Sequence, residues 1–222
     1  MKTSVKQVIV RVGVLISLLL GAPQTYAIPI AHLMLQSESG DYIGQGGTFD
    51  ITYTPESSDL FFVNIFGSPP AFLQFILGTV TSGPDNTFAL LDFSTNQLGI
   101  PIQPGFYADA ERAAFASPGH PGLDVSFQNR GCNTLTGNFT IDDVTFLADT
   151  SAPNGLKLNT FSASFEQHCE GAVPALFGTF TFDARPAAVP EPDTYTLIAA
   201  GLLLLGLIRR GCNCNNDGVR LA

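Results

Sequence analysis

All eighteen phenylalanines of this chain fall between Phe49 and Phe182, and around them apolar and polar residues alternate. Phe49, Ile51 and Tyr53 are separated by Asp50 and Thr52, and Leu123, Val125 and Phe127 by Asp124 and Ser126. Phe180 and Phe182 stand between threonines. A period of two gives an extended chain one apolar and one polar face, as a half-buried antiparallel strand requires. Lys, Glu and Leu at helical spacing are scarce, which argues against a helical bundle. Two longer apolar runs, 60–66 and 71–80, read as strands buried on both sides. Turn chemistry separates the runs: Gly67-Ser68-Pro69-Pro70, Ser82-Gly83-Pro84-Asp85-Asn86, Pro118-Gly119-His120-Pro121-Gly122 and Pro153-Asn154-Gly155. The expected fold is all-β, an antiparallel β-sandwich or jelly-roll-like domain of roughly eight to ten short strands.

Two segments break the alternation. Phe139 and Ile141 share one parity and Val144 and Phe146 the other, with Asp142-Asp143 between them. Leu156 and Leu158 likewise give way to Phe161, Ala163 and Phe165. A bulge, or a tight bend between sheets, would return each set to one face. The one helix candidate spans 107–115.

The two ends of the chain set its address. Lys2, Lys6 and Arg11 precede an apolar run over 12–20, and Gly21, Pro23 and Gln24 break it before Thr25-Tyr26-Ala27. A basic start, a short apolar centre and a small-residue exit make a signal peptide over 1–27, to be removed by signal peptidase. Near the other end come Val189-Pro190-Glu191-Pro192, an apolar stretch over 194–208, and Arg209-Arg210. The stretch is shorter than the ~20 residues that span a bilayer without thinning it. The arginine pair would stay on the cytoplasmic side, leaving 28–184 outside.

In that region the chain resembles the PEP-CTERM sorting signal of Gram-negative bacteria, a Pro-Glu-Pro motif followed by a short membrane helix and a basic cluster. The resemblance covers 189–210. It implies an exported protein, membrane-anchored until an exosortase-type enzyme processes it, then placed at the outer surface or in an exopolysaccharide-rich matrix. Pro190, Glu191 and Pro192 would be the recognition motif, with Arg209 and Arg210 as the basic end. The family usually stops near its basic cluster, whereas here a tail over 211–222 follows. The expected organisation is therefore a signal peptide (1–27), an exported β domain (28–184), a Pro-rich linker (185–193), a short sorting helix (194–210) and the tail.

The exported part has sixteen Asp and Glu against Arg112, Arg130 and Lys157, a net charge of −13 where the whole chain has −9. Nucleic acid is excluded as a partner, because phosphate binding runs on Lys and Arg. Its two cysteines, Cys132 and Cys169, are an even count in an oxidising compartment and imply a disulfide. The alternative is a site built from Cys132, His168 and Cys169, for which zinc would need a fourth ligand. The sequences Arg130-Gly131-Cys132-Asn133-Thr134-Leu135-Thr136-Gly137 and Phe165-Glu166-Gln167-His168-Cys169-Glu170-Gly171 resemble paired motifs of exported bacterial domains without assigned function. Asp41-Tyr42-Ile43-Gly44-Gln45-Gly46 looks like a third motif of the same domains.

No catalytic constellation is visible. H-E-x-x-H, G-x-S-x-G and a phosphate-binding glycine loop do not occur. His168 has Glu166 and Glu170 as neighbours that can hydrogen-bond it. Calcium is the one cofactor with a physical case, with Asp142 and Asp143 as candidate ligands and Asp149, Asp85 and Asn86 as further oxygen donors. For a sugar ligand the exposed-aromatic candidates are Tyr42 and Tyr107, since the chain has no Trp. The favoured reading is a non-catalytic envelope or matrix protein. An exopolysaccharide-binding module competes with it, and a hydrolase using paired carboxylates stands third.

Overall fold

A computed structural model describes residues 28–83, 85–184 and the isolated Gly201. The segments expected to be a signal peptide (1–27), a Pro-rich linker (185–193), a sorting helix (194–210, Gly201 apart) and a tail (211–222) lie outside the described residues. Ten strands are present: β1 (Ile30–Ser37), β2 (Thr48–Tyr53), β3 (Leu60–Phe66), β4 (Phe72–Gly78), β5 (Ala89–Ser94), β6 (Gly105–Arg112), β7 (Gly122–Phe127), β8 (Leu135–Ala148), β9 (Leu156–Cys169) and β10 (Leu176–Asp183). They form one sheet in the order β2-β1-β10-β9-β8-β6-β7-β5-β4-β3, curled until it is nearly closed into a barrel.

The expectation of an all-β domain holds, with two corrections. The sheet is a single one, and it is mixed, because Glu111 and Arg112 of β6 pair in parallel with Gly122 and Leu123 of β7. The physical reason for one sheet lies in β8 and β9. Each is fourteen residues long, and each carries a bulge. Asp142 is the extra residue on β8, opposite the step between Ser162 and Ala163, and Asn159 is the extra residue on β9, between Thr160 and Leu158. These are the two places where the alternation breaks in the sequence. A bulge bends its strand and increases its twist, so two long strands turn the sheet back on itself.

Period-two burial then fills the inside. Ala31, Leu33 and Leu35 of β1, Leu73, Phe75 and Leu77 of β4, and Leu123, Val125 and Phe127 of β7 are buried. Phenylalanines from opposite parts of the sheet meet there. Phe93 of β5 lies 5.5 Å from Phe139 of β8 and 5.1 Å from Phe161 of β9, centroid to centroid. Phe75 of β4 meets Phe180 of β10 edge-on at 4.6 Å. Burying such a ring contributes about 2–3 kcal/mol, and paired rings add about 1 kcal/mol more.

Two local expectations are corrected. The helix candidate over 107–115 is strand β6 followed by one 3₁₀ turn, Ala113–Phe115. The pairing of β6 with β8 shifts register between Tyr107 and Ala110, and Asp109 there has φ 54°. Tyr107 and Ala110 are consequently both buried, a spacing of three that imitates a helix. Run 60–66 is strand β3, yet no residue of it is fully buried, because among the described residues β3 ends the sheet and has β4 as its only strand neighbour.

Candidate functional site

The three short motifs converge on the disulfide. Cys132 and Cys169 are bonded, with Cα atoms 5.0 Å apart, joining the turn before β8 to the last residue of β9. Arg130 Nε donates to the carbonyl of Ile43, and Arg130 Nη2 to Gln128 Oε1. Asp41 Oδ2 accepts from Ser37 Oγ and from the backbone N–H of Gly44, both at 2.8 Å. A side chain at Gly44 would overlap Ser37, so glycine is required there. Glu170 accepts from the N–H of Asn133 and from Thr134 Oγ1, which holds its carboxyl below the ordinary carboxylate range. His168 Nε2 lies 3.1 Å from Glu166 Oε1. Of the two acidic neighbours expected to meet His168, Glu166 does so, while Glu170 ties down the turn of Cys132. Together the motifs brace one end of the sheet.

The other candidate residues are dispersed. Tyr42 is 55% exposed, but Tyr107 is only 6% exposed. The Tyr107 ring stacks on Phe139 at 4.8 Å, and its hydroxyl donates to the carbonyl of Gln103. Burial pushes its phenol up. Tyr107 is therefore a core residue and no sugar platform, a correction that follows from the register shift in β6. Asp142 is the extra residue of the β8 bulge, Asp143 follows it, and both are exposed. Among the described residues, three or more His, Cys, Asp or Glu nowhere converge as a metal site would need. Asp149 is engaged by Ser151, and the Asn86 side chain by Thr81 and Phe88.

Two features escape the sequence. The first is a groove of about 500 Å³ on the outer face of β2, β1, β10, β9 and β8. Cross-strand register places Thr48, Gln36, Phe177, Glu166 and Asn138 in one row across these five strands. Met34, Thr179 and Ser164 make the next row. Phe177 and Met34 are both exposed large apolar side chains. Glu166 sits between Phe177 and Asn138, accepting from Asn138 Nδ2 at 3.2 Å, and Gln36 flanks Phe177 on its other side. His168 first and Asn138 second hold its carboxyl below the usual range. The groove thus offers an apolar ring beside a fixed carboxylate and two amides. In the sequence these side chains are merely the polar half of each alternation.

The second is a ladder of polar side chains on the outer face of the opposite part of the sheet. Asn64, Gln74, Asp92 and Asp124 are successive register partners on β3, β4, β5 and β7. Asn64 Nδ2 donates to Gln74 Oε1, and Arg112 Nε donates to Asp124 Oδ2 at 2.9 Å. Arg112 also lies over the exposed Phe115 ring, 5.1 Å from its centroid. Both carboxylates are buried, and neither Oδ1 has a hydrogen-bond partner among the described residues. Like charges directly opposed across two strands destabilise a sheet. Desolvation, with the charge of Asp124 added, pushes Asp92 up to about 7, against the Gln74 hydrogen bond and the Arg112 charge. Asp92 can hold and release a proton, but its burial keeps a polymeric substrate away. The only hint in the sequence is a single acid inside the apolar run Ala89-Leu90-Leu91-Asp92-Phe93.

Compared with known proteins, the chain matches no protein-family model, no curated protein and no solved structure.

Proposed function

We propose that this chain is an exported cell-envelope or extracellular-matrix protein whose 28–184 domain acts in surface interaction without catalysis. Pro190-Glu191-Pro192 would direct it to an exosortase-type enzyme, and 194–210 would hold it in the membrane until then. The observation that supports export is the Cys132–Cys169 disulfide, since such bonds persist in oxidising compartments and are rare in the cytosol. It joins residues far apart in sequence in a domain with no other cysteine. The acidic excess of the domain suits a soluble surface that repels anionic membranes.

The test is to replace Pro190, Glu191 and Pro192 by alanine in the producing cell and follow size and location. The expected result is a larger, membrane-held form with its disulfide intact, shown by resistance to thiol alkylation until reduced. Unchanged processing would sink the sorting assignment. A cytosolic, thiol-reactive product of the unaltered chain would sink export itself.

The groove beside Phe177 favours a second reading, a module that binds a neutral exopolysaccharide. A pyranose ring has an apolar C–H face and a rim of hydroxyls. Phe177 and Met34 offer the first a surface, while Asn138 and Glu166, held by each other, and the exposed Gln36 offer the second donors and acceptors. Co-sedimentation with neutral and with uronic-acid polysaccharides, with and without EDTA, tests it. Saturable binding to a neutral polymer that Phe177→Ala weakens at least tenfold is expected. Binding unaffected by that change would remove the groove from consideration, and loss in EDTA would bring a metal into the site.

A further inference from the structure

We infer that β3 is the pairing strand of a homodimer, in which the free edges of two copies join antiparallel about a two-fold axis through Val63. This goes beyond the export and glycan readings, and only its test, run in the envelope, rests on export.

β3 ends the sheet. Natural edge strands are usually blunted by Lys, Pro, a bulge or an inward charge. β3, with the sequence Leu-Phe-Phe-Val-Asn-Ile-Phe, has no charge and no proline. It pairs with β4 over all seven residues without a register shift. Phe62 and Phe66 on its outer face are 52% and 46% exposed. The other edge strand, β2, carries Asp50, hydrogen-bonded to His32.

The backbone fixes how a second copy would fit. The carbonyl of Ile65 accepts from Asn154 Nδ2, outside the sheet, whereas the carbonyl of Phe66 accepts from Ala71 at the β3–β4 turn. Odd-numbered residues of β3 therefore aim their N–H and C=O outward, by the alternation of an antiparallel pair. Centring the axis on Val63 sets Phe61 opposite the partner's Ile65 and Val63 opposite the partner's Val63. These pairs supply about six main-chain hydrogen bonds, the Ile65 carbonyl using its second lone pair beside Asn154. On the outer face Leu60 then meets the partner's Phe66, and Phe62 the partner's Asn64. Charge selects this arrangement too. The domain is strongly acidic, yet the nearest acid, Asp59, falls opposite the partner's Gly67, so no carboxylate faces another.

The same pairing covers an opening in the fold. A groove of about 550 Å³ runs between β3 and the β8–β9 hairpin, with Phe61, Val63, Ile65, Leu156 and Phe182 in its lining. Phe61, Val63 and Ile65 of the second copy would extend the inner face over it. Two half-exposed rings and a strand edge bury roughly several hundred Å² per copy, on the order of 1,000 Å² over both copies, below the roughly 1,200–2,000 Å² total of standard specific interfaces. The dimer is accordingly weak and reversible, which decides the method.

Cross-linking through single cysteines in the full chain, with Cys212 and Cys214 changed to serine, tests it under mild oxidation in the intact envelope. Opposed residues of a hydrogen-bonded pair have Cα atoms ~5.5 Å apart, within disulfide range. Val63→Cys should give a covalent dimer at least tenfold above Phe62→Cys, whose own counterpart lies ~7–8 Å away on the diagonal. Phe61→Cys and Ile65→Cys chains should cross-link to each other when co-expressed and poorly to themselves. This arm stands even if Val63→Cys destabilises the fold. Equal cross-linking at all positions would mean random collision and overturn the proposal. So would absence of a dimer from all three of Phe61→Cys, Val63→Cys and Ile65→Cys while maleimide still labels their new thiols. Cross-links from Val63→Cys to other envelope proteins alone would overturn it as well.

Discussion

The side-chain amide of Gln167 on β9 bonds both backbone groups of Val125 on β7. Gln167 Oε1 accepts from the Val125 N–H at 2.9 Å, and Gln167 Nε2 donates to the Val125 carbonyl at 2.7 Å. β7 pairs with β6 only at Gly122 and Leu123, so at Val125 that edge of β7 has lost its strand neighbour. A fully buried glutamine takes the place of the missing strand. The relationship ties the inner ends of β9 and β7 together beside the disulfide, where Gln167 Nε2 also approaches Cys132 Sγ at 3.5 Å.

Replacing Gln167 by leucine keeps the volume and leaves a buried N–H and C=O unpaired. Each such group costs roughly 1–3 kcal/mol, so Gln167→Leu should lower stability by about 2–6 kcal/mol. Urea unfolding checks this. A loss under about 0.5 kcal/mol would mean that the two bonds contribute nothing net.

Cys132→Ser and Cys169→Ser should each destabilise the domain by about 2–5 kcal/mol, the usual range for a disulfide lost from a small secreted domain. The bond closes a separation of 37 residues. Melting of both variants, and of the unaltered protein with and without reductant, is the measurement. Reduced protein and either variant should melt alike.

Asp92 makes stability depend on pH with an unusual sign for a carboxylate. Its folded value of about 7 lies above the ordinary 3.8, so the folded state holds the proton more tightly than the unfolded chain does. Its contribution is fully present below pH ~4 and is lost as pH rises through ~7. Asp92→Asn keeps the shape and removes the titration. The variant's melting temperature should be flat between pH 4 and 7 where the parent's falls. At pH 8 its unfolding free energy should exceed the parent's by an amount on the order of 2–4 kcal/mol. Parallel curves for the two proteins would show that Asp92 titrates normally. Below pH ~4.5 the depressed Glu111, Asp149, Glu166 and Glu170 act in the opposite sense, so both proteins should lose stability together in strong acid.

Gly178 lies between Leu35 and Phe165 in register, and a methyl group there would overlap the Phe165 ring. Gly178→Ala should therefore cost about 1–3 kcal/mol through overpacking, although alanine suits a strand better than glycine does. Adding Phe165→Leu to it should recover part of the loss. No recovery would locate the strain elsewhere.

Much of the fold was legible because strand formation is local. Alternation around Phe49, Leu123 and Phe180 reports one buried face whatever that face packs against. The parity breaks at Asp142-Asp143 and after Leu158 report bulges for the same reason. The site was less legible. Tyr107 read as an exposed tyrosine of a glycine-rich loop at the start of a helix candidate, because the register shift by Asp109 hides the alternation of β6. Phe177, Glu166, Gln36 and Asn138 stand far apart in the chain, and nothing local says that they share a row. Asp92 and Asp124 look like ordinary solvent-facing positions until the turn over 113–115 covers that face.

By itself the chain determined strand, turn and the places where alternation breaks, along with the pairing of Cys132 with Cys169, because these depend on residue type, near neighbours and counting. Only the tertiary structure decided that one sheet does the work expected of two, that β6 and β7 run parallel, that Asp92 holds its proton near neutrality and that β3 keeps a free edge. Each of these depends on which strands become neighbours. That choice is made by the whole set of buried rings at once, which no single segment encodes.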